Sequence, residues 1–75
     1  MGKRLKSNLK NLLEERGWSI RKLAEETGLQ FETLRRLYND DTKQYQRETI
    51  GRICEVLNVE LSEVLILVDT EESNT

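Results

Sequence analysis

The chain has no histidine and no proline, and it has one cysteine among its 75 residues. With Cys54 alone, no disulfide can form within the chain. A structural zinc site is nearly excluded, because such sites need about four Cys or His ligands. We therefore expect neither a metal nor another cofactor. A domain of this size must then depend on close helix packing, on self-association, or on both.

Long apolar runs are lacking as well. The longest covers residues 64–68, which is far too short to cross a membrane. Lys3, Arg4 and Lys6 make the start of the chain basic, but no apolar stretch of the length needed for an export signal follows them. We therefore expect a cytoplasmic protein.

Basic residues are absent after Arg52. Residues 1–52 hold all twelve basic side chains and carry a net charge of +4, whereas residues 53–75 carry −6. This asymmetry is typical of a basic working surface joined to an acidic tail, although an ordinary soluble surface with an acidic end has the same pattern. We expect one domain over residues 1–68 and a disordered acidic tail over residues 69–75.

Leu, Glu, Lys and Arg are abundant, and all four favour helices. Apolar residues recur at helical spacing in five segments, which predicts a compact all-α domain of five helices. We also expect Trp18 and Cys54 to be buried, and Tyr45 to anchor a polar loop in the core. The expected helices cover approximately residues 3–16, 20–27, 30–39, 47–57 and 60–65.

The segment from Ser19 to Leu37 carries most of the functional information. Ser19 is a good N-cap, and Ala24 is small where two crossing helices must approach each other. Gly28 can adopt the positive φ that a tight turn requires. Two short helices joined by such a turn form a helix-turn-helix, whose second helix can enter the DNA major groove.

Four motifs in this order resemble the lambda-repressor-like (XRE-type, Cro-like) helix-turn-helix family over about residues 4–66. They are Leu-Ala-x-x-x-Gly-Leu at 23–29, Thr-Leu-x-Arg-Leu-Tyr-Asn at 33–39, Glu-Thr-Ile-x-x-Ile-Cys-x-x-Leu at 48–57 and Leu-Ser-Glu-Val-Leu at 61–65. The resemblance implies a transcriptional regulator, expected to be a bacterial or phage repressor that binds double-stranded DNA as a homodimer.

The resemblance also implies which residues read bases: Gln30, Phe31, Glu32, Arg35 and Arg36. Arginine can bind guanine O6 and N7 in a bidentate manner, glutamate can accept from cytosine N4, and a phenyl ring can contact a thymine methyl. Structural alternatives stay open. Phe31 can cover the core edge, Glu32 can pair with an arginine on the same helix face, and the arginines can be merely solvated.

Phosphate contacts are implied for residues that flank the third helix: Ile20, Arg21, Thr33, Asn39, Lys43 and Gln44. Two departures from the family pattern weaken this expectation. Ile20 stands where many members have a glutamine that contacts DNA. Asp40 and Asp41 stand where a glycine and a basic residue are common, so the loop must turn these carboxylates away if DNA passes close to it.

Two other function classes are considered. An enzyme has almost no support, because the sequence shows no metal cluster, no nucleophile–base pair and no phosphate-binding glycine loop. A protein-interaction module, antitoxin-like or adaptor-like, is the alternative to a DNA-binding regulator.

For the homodimer we expect an interface built by apolar residues near the end of the chain. The alternative is that residues 66–68 fold back over the same subunit. The expected interface residues are Leu61, Val64, Leu65, Ile66, Leu67 and Val68.

Overall fold

The computed structural model describes residues 2–69 and contains five helices and a small two-stranded sheet. The elements follow one another in the order β1 (Lys3–Ser7), α1 (Leu9–Arg16), α2 (Ile20–Thr27), α3 (Phe31–Tyr38), α4 (Arg47–Leu57), α5 (Leu61–Val64) and β2 (Leu65–Asp69). The five expected helices are present, and α2 and α4 have the predicted bounds. The expected disorder of residues 70–75 concerns residues outside the described part.

The core is formed by apolar side chains from all five helices, each of which buries one face. Because these residues recur at helical spacing, each helix has one apolar face. The helices pack together because burying these faces removes them from water. The buried apolar residues are Leu9, Leu12, Leu13, Leu23, Leu34, Leu37, Ile50, Ile53, Leu57 and Val64.

The expectation of an all-α fold is wrong at the two ends of the domain. Residues 3–7 form β1 rather than the first turns of α1, and they pair antiparallel with β2, where Leu5 lies opposite Leu67. Leu5 has the helical spacing to Leu9, but in the strand it is 44% exposed. As a strand, residues 3–7 supply hydrogen-bond partners to residues 65–69 as well, which an exposed helical extension would not do.

The junction between β1 and α1 fixes the position of the sheet against the helices. The backbone N–H of Asn8 donates to the carbonyl of Val64 at 2.7 Å, and the Asn8 side-chain amide donates to the carbonyl of Glu63 at 3.0 Å. The Ser7 hydroxyl accepts from the N–H of Leu9 at 3.2 Å. These contacts end the strand and begin the helix within two residues.

The predicted burial of two side chains is confirmed only in part. Trp18 and Cys54 pack against the core, but both keep intermediate exposure. Tyr45 also packs partly buried against the core, as expected for the anchor of the polar loop. Burial raises the pKa of the Cys54 thiol, and the nearby carboxylates of Glu60 and Glu63 raise it further. Asp69, assigned to the tail by its charge, is the last residue of β2.

Candidate nucleic-acid interface

A helix-turn-helix is formed by α2, the turn over residues 28–30 and α3. Ser19 begins α2 as an N-cap, because its hydroxyl accepts from the N–H of Lys22 at 3.0 Å. Gly28 ends α2 with φ +77°, a left-handed conformation that glycine adopts without steric cost. The turn then places Gln30 as the N-cap residue of α3.

The turn is held by Thr27, whose side chain is buried. Its hydroxyl donates to the carbonyl of Leu23 at 2.7 Å and accepts from the N–H of Leu29 at 3.1 Å. From α4, Arg52 Nε donates to the Thr27 carbonyl at 3.0 Å. The angle between α2 and α3 is therefore braced from within the turn and from a third helix.

One face of α3 is buried and the opposite face is open to solvent. Leu34 and Leu37 lie in the core, whereas Phe31, Glu32 and Arg36 are exposed. Since residues three and four apart share a helix face, the exposed side chains form one continuous surface. Gln30 and Thr33 are also exposed, and Arg35 is half-buried. All five residues expected to read bases thus lie on or beside this outward face.

Glu32 is engaged by two arginines on the same helix. Arg35 Nε donates to Glu32 Oε1 at 3.1 Å and its Nη2 binds Oε2, while Arg36 Nε lies 3.6 Å from Oε2. The hydrogen bond from Arg35 lowers the pKa of Glu32, and both positive charges add to this effect. The pairing left open by the sequence is therefore present. It leaves Arg36 as the more loosely held guanidinium of this surface.

Phe31 does not cover the core edge. The residue is 43% exposed, and the Arg21 guanidinium lies 5.7 Å from the ring centroid. This distance is within the range of a cation–π contact. Arg21 belongs to the first turn of α2, so the contact joins the start of α2 to the start of α3. It places one cation and one exposed aromatic ring side by side.

An open groove of ≈ 380 Å³ lies between α3, the loop over residues 39–46 and the start of α4. Thr33 and Arg36 line it from α3, and Lys43 and Gln44 line it from the loop. The groove thus places the candidate base reader Arg36 next to three candidate phosphate contacts, Thr33, Lys43 and Gln44. Gln30, Phe31 and Arg21 do not line this groove.

Ile20 and Asn39, both expected to contact phosphates, lie at the first residue of α2 and at the C-cap of α3. Ile20 begins α2 and packs partly buried against the core, so its side chain is hydrophobic support rather than a hydrogen-bond donor. Its backbone N–H lies at a helix N-terminus, where anions are favoured whatever the side chain. Asn39 is exposed and ends α3.

The two acidic residues after α3 differ in orientation. Asp40 has φ +57°, and its carboxylate accepts from the Ser7 N–H at 2.9 Å and from Arg4 Nη2 at 3.2 Å. That carboxylate is turned toward β1. Asp41 is exposed and lines the groove that contains Arg36 and Lys43. The Asp40 carboxylate is thus turned away from the candidate surface, whereas Asp41 keeps a negative charge beside it.

Neither a metal centre nor a membrane span is found in the described part of the chain. Residues 2–69 contain no group of three Asp, Glu or Cys side chains placed to hold a metal ion. No helix among these residues is long and apolar enough to cross a membrane.

The sequence profile of the Cro/C1-type HTH DNA-binding domain matches residues 8–70, which is most of the chain. The chain belongs to this family. Solved structures also share the fold of this Cro/C1-type domain, and two of them are described below. No curated protein matches the sequence. The matched range covers all five helices and the turn described above.

The first structure is a candidate DNA-binding protein from Bacteroides fragilis. It is similar with a TM-score of 0.73 and 24% identity over 84% of this chain and 100% of that chain. The second is the transcriptional regulator VanUg, with a TM-score of 0.72 and 23% identity over 91% of this chain and 89% of that chain. At this level of identity the likeness shows a shared fold.

Several residues that shape the Cro/C1-type domain were missed by sequence reasoning. Thr27 and Arg52 brace the turn, and Asp40 ties the loop to β1 through Ser7. A Thr directly before the turn glycine was a usable signal, because Thr hydroxyls often bond to nearby backbone groups. No local signal reveals the contacts of Arg52 and Asp40, since their partners lie 25 and 33 residues away.

Proposed function

We propose that this Cro/C1-type domain is a sequence-specific transcriptional repressor that inserts α3 into the major groove of double-stranded DNA. The observation that supports this most is the two-sided character of α3: one face is packed into the core and the other is an exposed surface of ring, guanidinium and amide groups. A braced helix with such a face has the shape and chemistry that groove insertion requires.

In this proposal Arg36 is the main guanine reader. Its guanidinium is exposed and only loosely held by Glu32, so it can turn toward guanine O6 and N7. Arg35 and Glu32 act as a pair, in which the glutamate orients the arginine, and Phe31 contacts a thymine methyl. Gln30, at the start of α3, can form hydrogen bonds to an adenine edge.

In this proposal, residues around α3 contact the phosphates on both sides of the DNA major groove. The backbone at Ile20 and the side chain of Arg21 bind one strand near the start of α2. The other strand is bound by residues at the groove beside α3 and by the end of that helix: Thr33, Asn39, Lys43 and Gln44. Because Arg21 and Lys43 displace counterions from the phosphates, we expect binding to weaken strongly as the salt concentration rises, and Asp41 in that groove to lower the affinity.

We also propose that the domain acts as a homodimer, which occupies two half-sites and excludes other proteins from the operator. Leu61 and Leu67 are 56% and 64% exposed, and both belong to the expected interface. Val64 is fully buried, so it supports the interface from the core rather than contacting a second copy. Leu65, Ile66 and Val68 are half-buried within the subunit.

A protein-interaction module is the second candidate function, favoured by the same exposed Leu61 and Leu67. Selection of binding sites from random double-stranded DNA distinguishes the two. The proposal predicts enrichment of one sequence, arranged as an inverted repeat. Recovery of random sequences only, at low and at moderate salt, contradicts the DNA-reading function and leaves the interaction module.

A further inference from the structure

A second open groove, of ≈ 260 Å³, lies where the junction of β1 and α1 meets the end of α3. Lys6 lines it from β1, Lys10 and Asn11 line it from α1, and Tyr38 and Asn39 line it from the end of α3. We call it the β1–α1 groove. Of these five residues only Asn39 has a role in the proposed function, so the helix-turn-helix alone does not account for this surface.

The two lysines of the β1–α1 groove, Lys6 and Lys10, are exposed, and neither forms an ion pair within residues 2–69. Lys3 lies on the same strand as Lys6 but binds Asp69 at 2.7 Å. Since successive side chains of a strand point to opposite faces, Lys3 and Lys6 lie on different faces of β1. Lys6 and Lys10 can therefore bind an anion without first giving up a carboxylate partner.

Asp40 is the one carboxylate among the described residues that line the β1–α1 groove, and its charge is already engaged. Its oxygens accept from the Ser7 N–H at 2.9 Å and from Arg4 Nη2 at 3.2 Å, and its side chain is 17% exposed. Because Arg4 balances this carboxylate, it does not cancel the positive potential of the two lysines. In the groove beside α3, by contrast, the exposed Asp41 lines the wall together with Lys43.

The β1–α1 groove opens at the C-terminal end of the outward face of α3. Residues four and seven positions apart share one face of a helix, so Arg36 and Asn39 lie in line with Glu32. The eight residues of α3 span about 12 Å, which is about the width of the DNA major groove. The backbone that borders the base pairs read by α3 is therefore within reach of residues at each end of this helix.

We infer that the β1–α1 groove binds a backbone phosphate of the duplex that α3 reads, through the ammonium groups of Lys6 and Lys10 and the amide of Asn39. The inference rests on the proposed function and extends the DNA contact beyond the helix-turn-helix to β1 and α1. A phosphate fits this groove better than a base edge, because a lysine ammonium group acts as a point charge and lies here on elements that flank α3.

Equilibrium binding of the full chain to a selected duplex at several salt concentrations tests the inference. Lys6→Gln and Lys10→Gln should each weaken binding about fivefold to tenfold at about 0.1 M salt, because one phosphate contact adds about 0.9 to the slope of log affinity against log salt concentration. Each slope should accordingly fall by about 1. Lys3→Gln is the matched control, because it removes the same charge from β1 but from a lysine that Asp69 already holds. Its affinity should stay within about twofold of that of the unaltered chain.

A duplex with neutral linkages locates the contact. Phosphates of the selected duplex are replaced one at a time by uncharged methylphosphonates. At one linkage the replacement should weaken binding of the unaltered chain about as much as Lys10→Gln does, and it should cost the Lys10→Gln chain little more. Such non-additivity arises when the two changes remove the same contact. Losses that add at every linkage contradict a phosphate in the β1–α1 groove. Circular dichroism and thermal unfolding check that each variant folds.

Sequence preference separates this inference from the proposed function. Lys6→Gln and Lys10→Gln should keep the ratio of affinities for selected and random duplexes, because a phosphate contact carries no sequence information. If both variants match Lys3→Gln in affinity and in salt slope, the inference is overturned while base reading by α3 stands. If the unaltered chain shows no sequence preference, the proposed function fails, and the salt slopes on random duplexes still decide for or against the β1–α1 groove.

Discussion

Replacing Asp40 tests whether the contact between the loop after α3 and β1 holds the domain together. Asp40→Ala removes the acceptor of the Ser7 N–H, and Ser7 is 6% exposed, so that donor is left largely unsatisfied. Such a loss costs about 1–3 kcal/mol. The ion pair with Arg4 is half-exposed and adds little after solvent screening. Alanine at φ +57° is also strained by about 1 kcal/mol relative to residues that tolerate this region.

We therefore expect Asp40→Ala to lower the free energy of unfolding by about 2–4 kcal/mol, measured by urea denaturation. Asp40→Asn keeps an oxygen acceptor and tolerates the positive φ, so its loss should stay below about 1 kcal/mol. Asp41→Ala is the control for an exposed neighbour and should be nearly neutral. If Asp40→Ala and Asp41→Ala have the same effect, Asp40 does not fasten the loop to the strand.

Two further predictions concern the turn and the thiol. Thr27→Val keeps the shape of the side chain but removes both hydrogen bonds of the hydroxyl. The free energy of unfolding, measured by urea denaturation, should therefore fall by about 1–3 kcal/mol. Thr33→Val on the exposed face is the control and should be nearly neutral. Equal effects would contradict the bracing role of Thr27. Because partial burial and two carboxylates raise the pKa of Cys54, a disulfide reagent at neutral pH should label it more slowly in the native chain than in urea. Equal rates in the two states would show that the thiol is not shielded.

The helices were predictable because their signal is local. Leu23, Leu34 and Ile53 recur within stripes of period 3.6, and a residue that favours a left-handed conformation, such as Gly28, marks where a stripe ends. Once Leu34 and Leu37 are assigned inward, the opposite face of α3 follows from geometry. That is why the candidate base-reading residues lie on or beside the exposed face of α3.

The sheet was not predictable from local pattern. Leu5 stands four residues before Leu9 and so continues the stripe of α1, while four consecutive apolar residues after Val64 fit a helix and a strand equally well. The partners lie far apart in sequence: Lys3 binds Asp69, 66 residues away. Only the pairing of the two ends decides between helix and strand. The ion pair between Glu32 and Arg35 was likewise not predictable with certainty from the sequence. Residues three apart on a helix can pair, but their spacing does not determine the side-chain rotamers.

Comparing two single substitutions on selected and random DNA tests the central claim, that α3 reads bases, most directly. The account predicts that Arg36→Ala weakens binding to the selected site by about 1–3 kcal/mol and relaxes the preference at one base pair, with little change on random DNA. Lys43→Ala should weaken both DNAs alike and reduce the salt slope by about 1. Equal effects of the two substitutions on selected and random DNA would contradict base reading by α3.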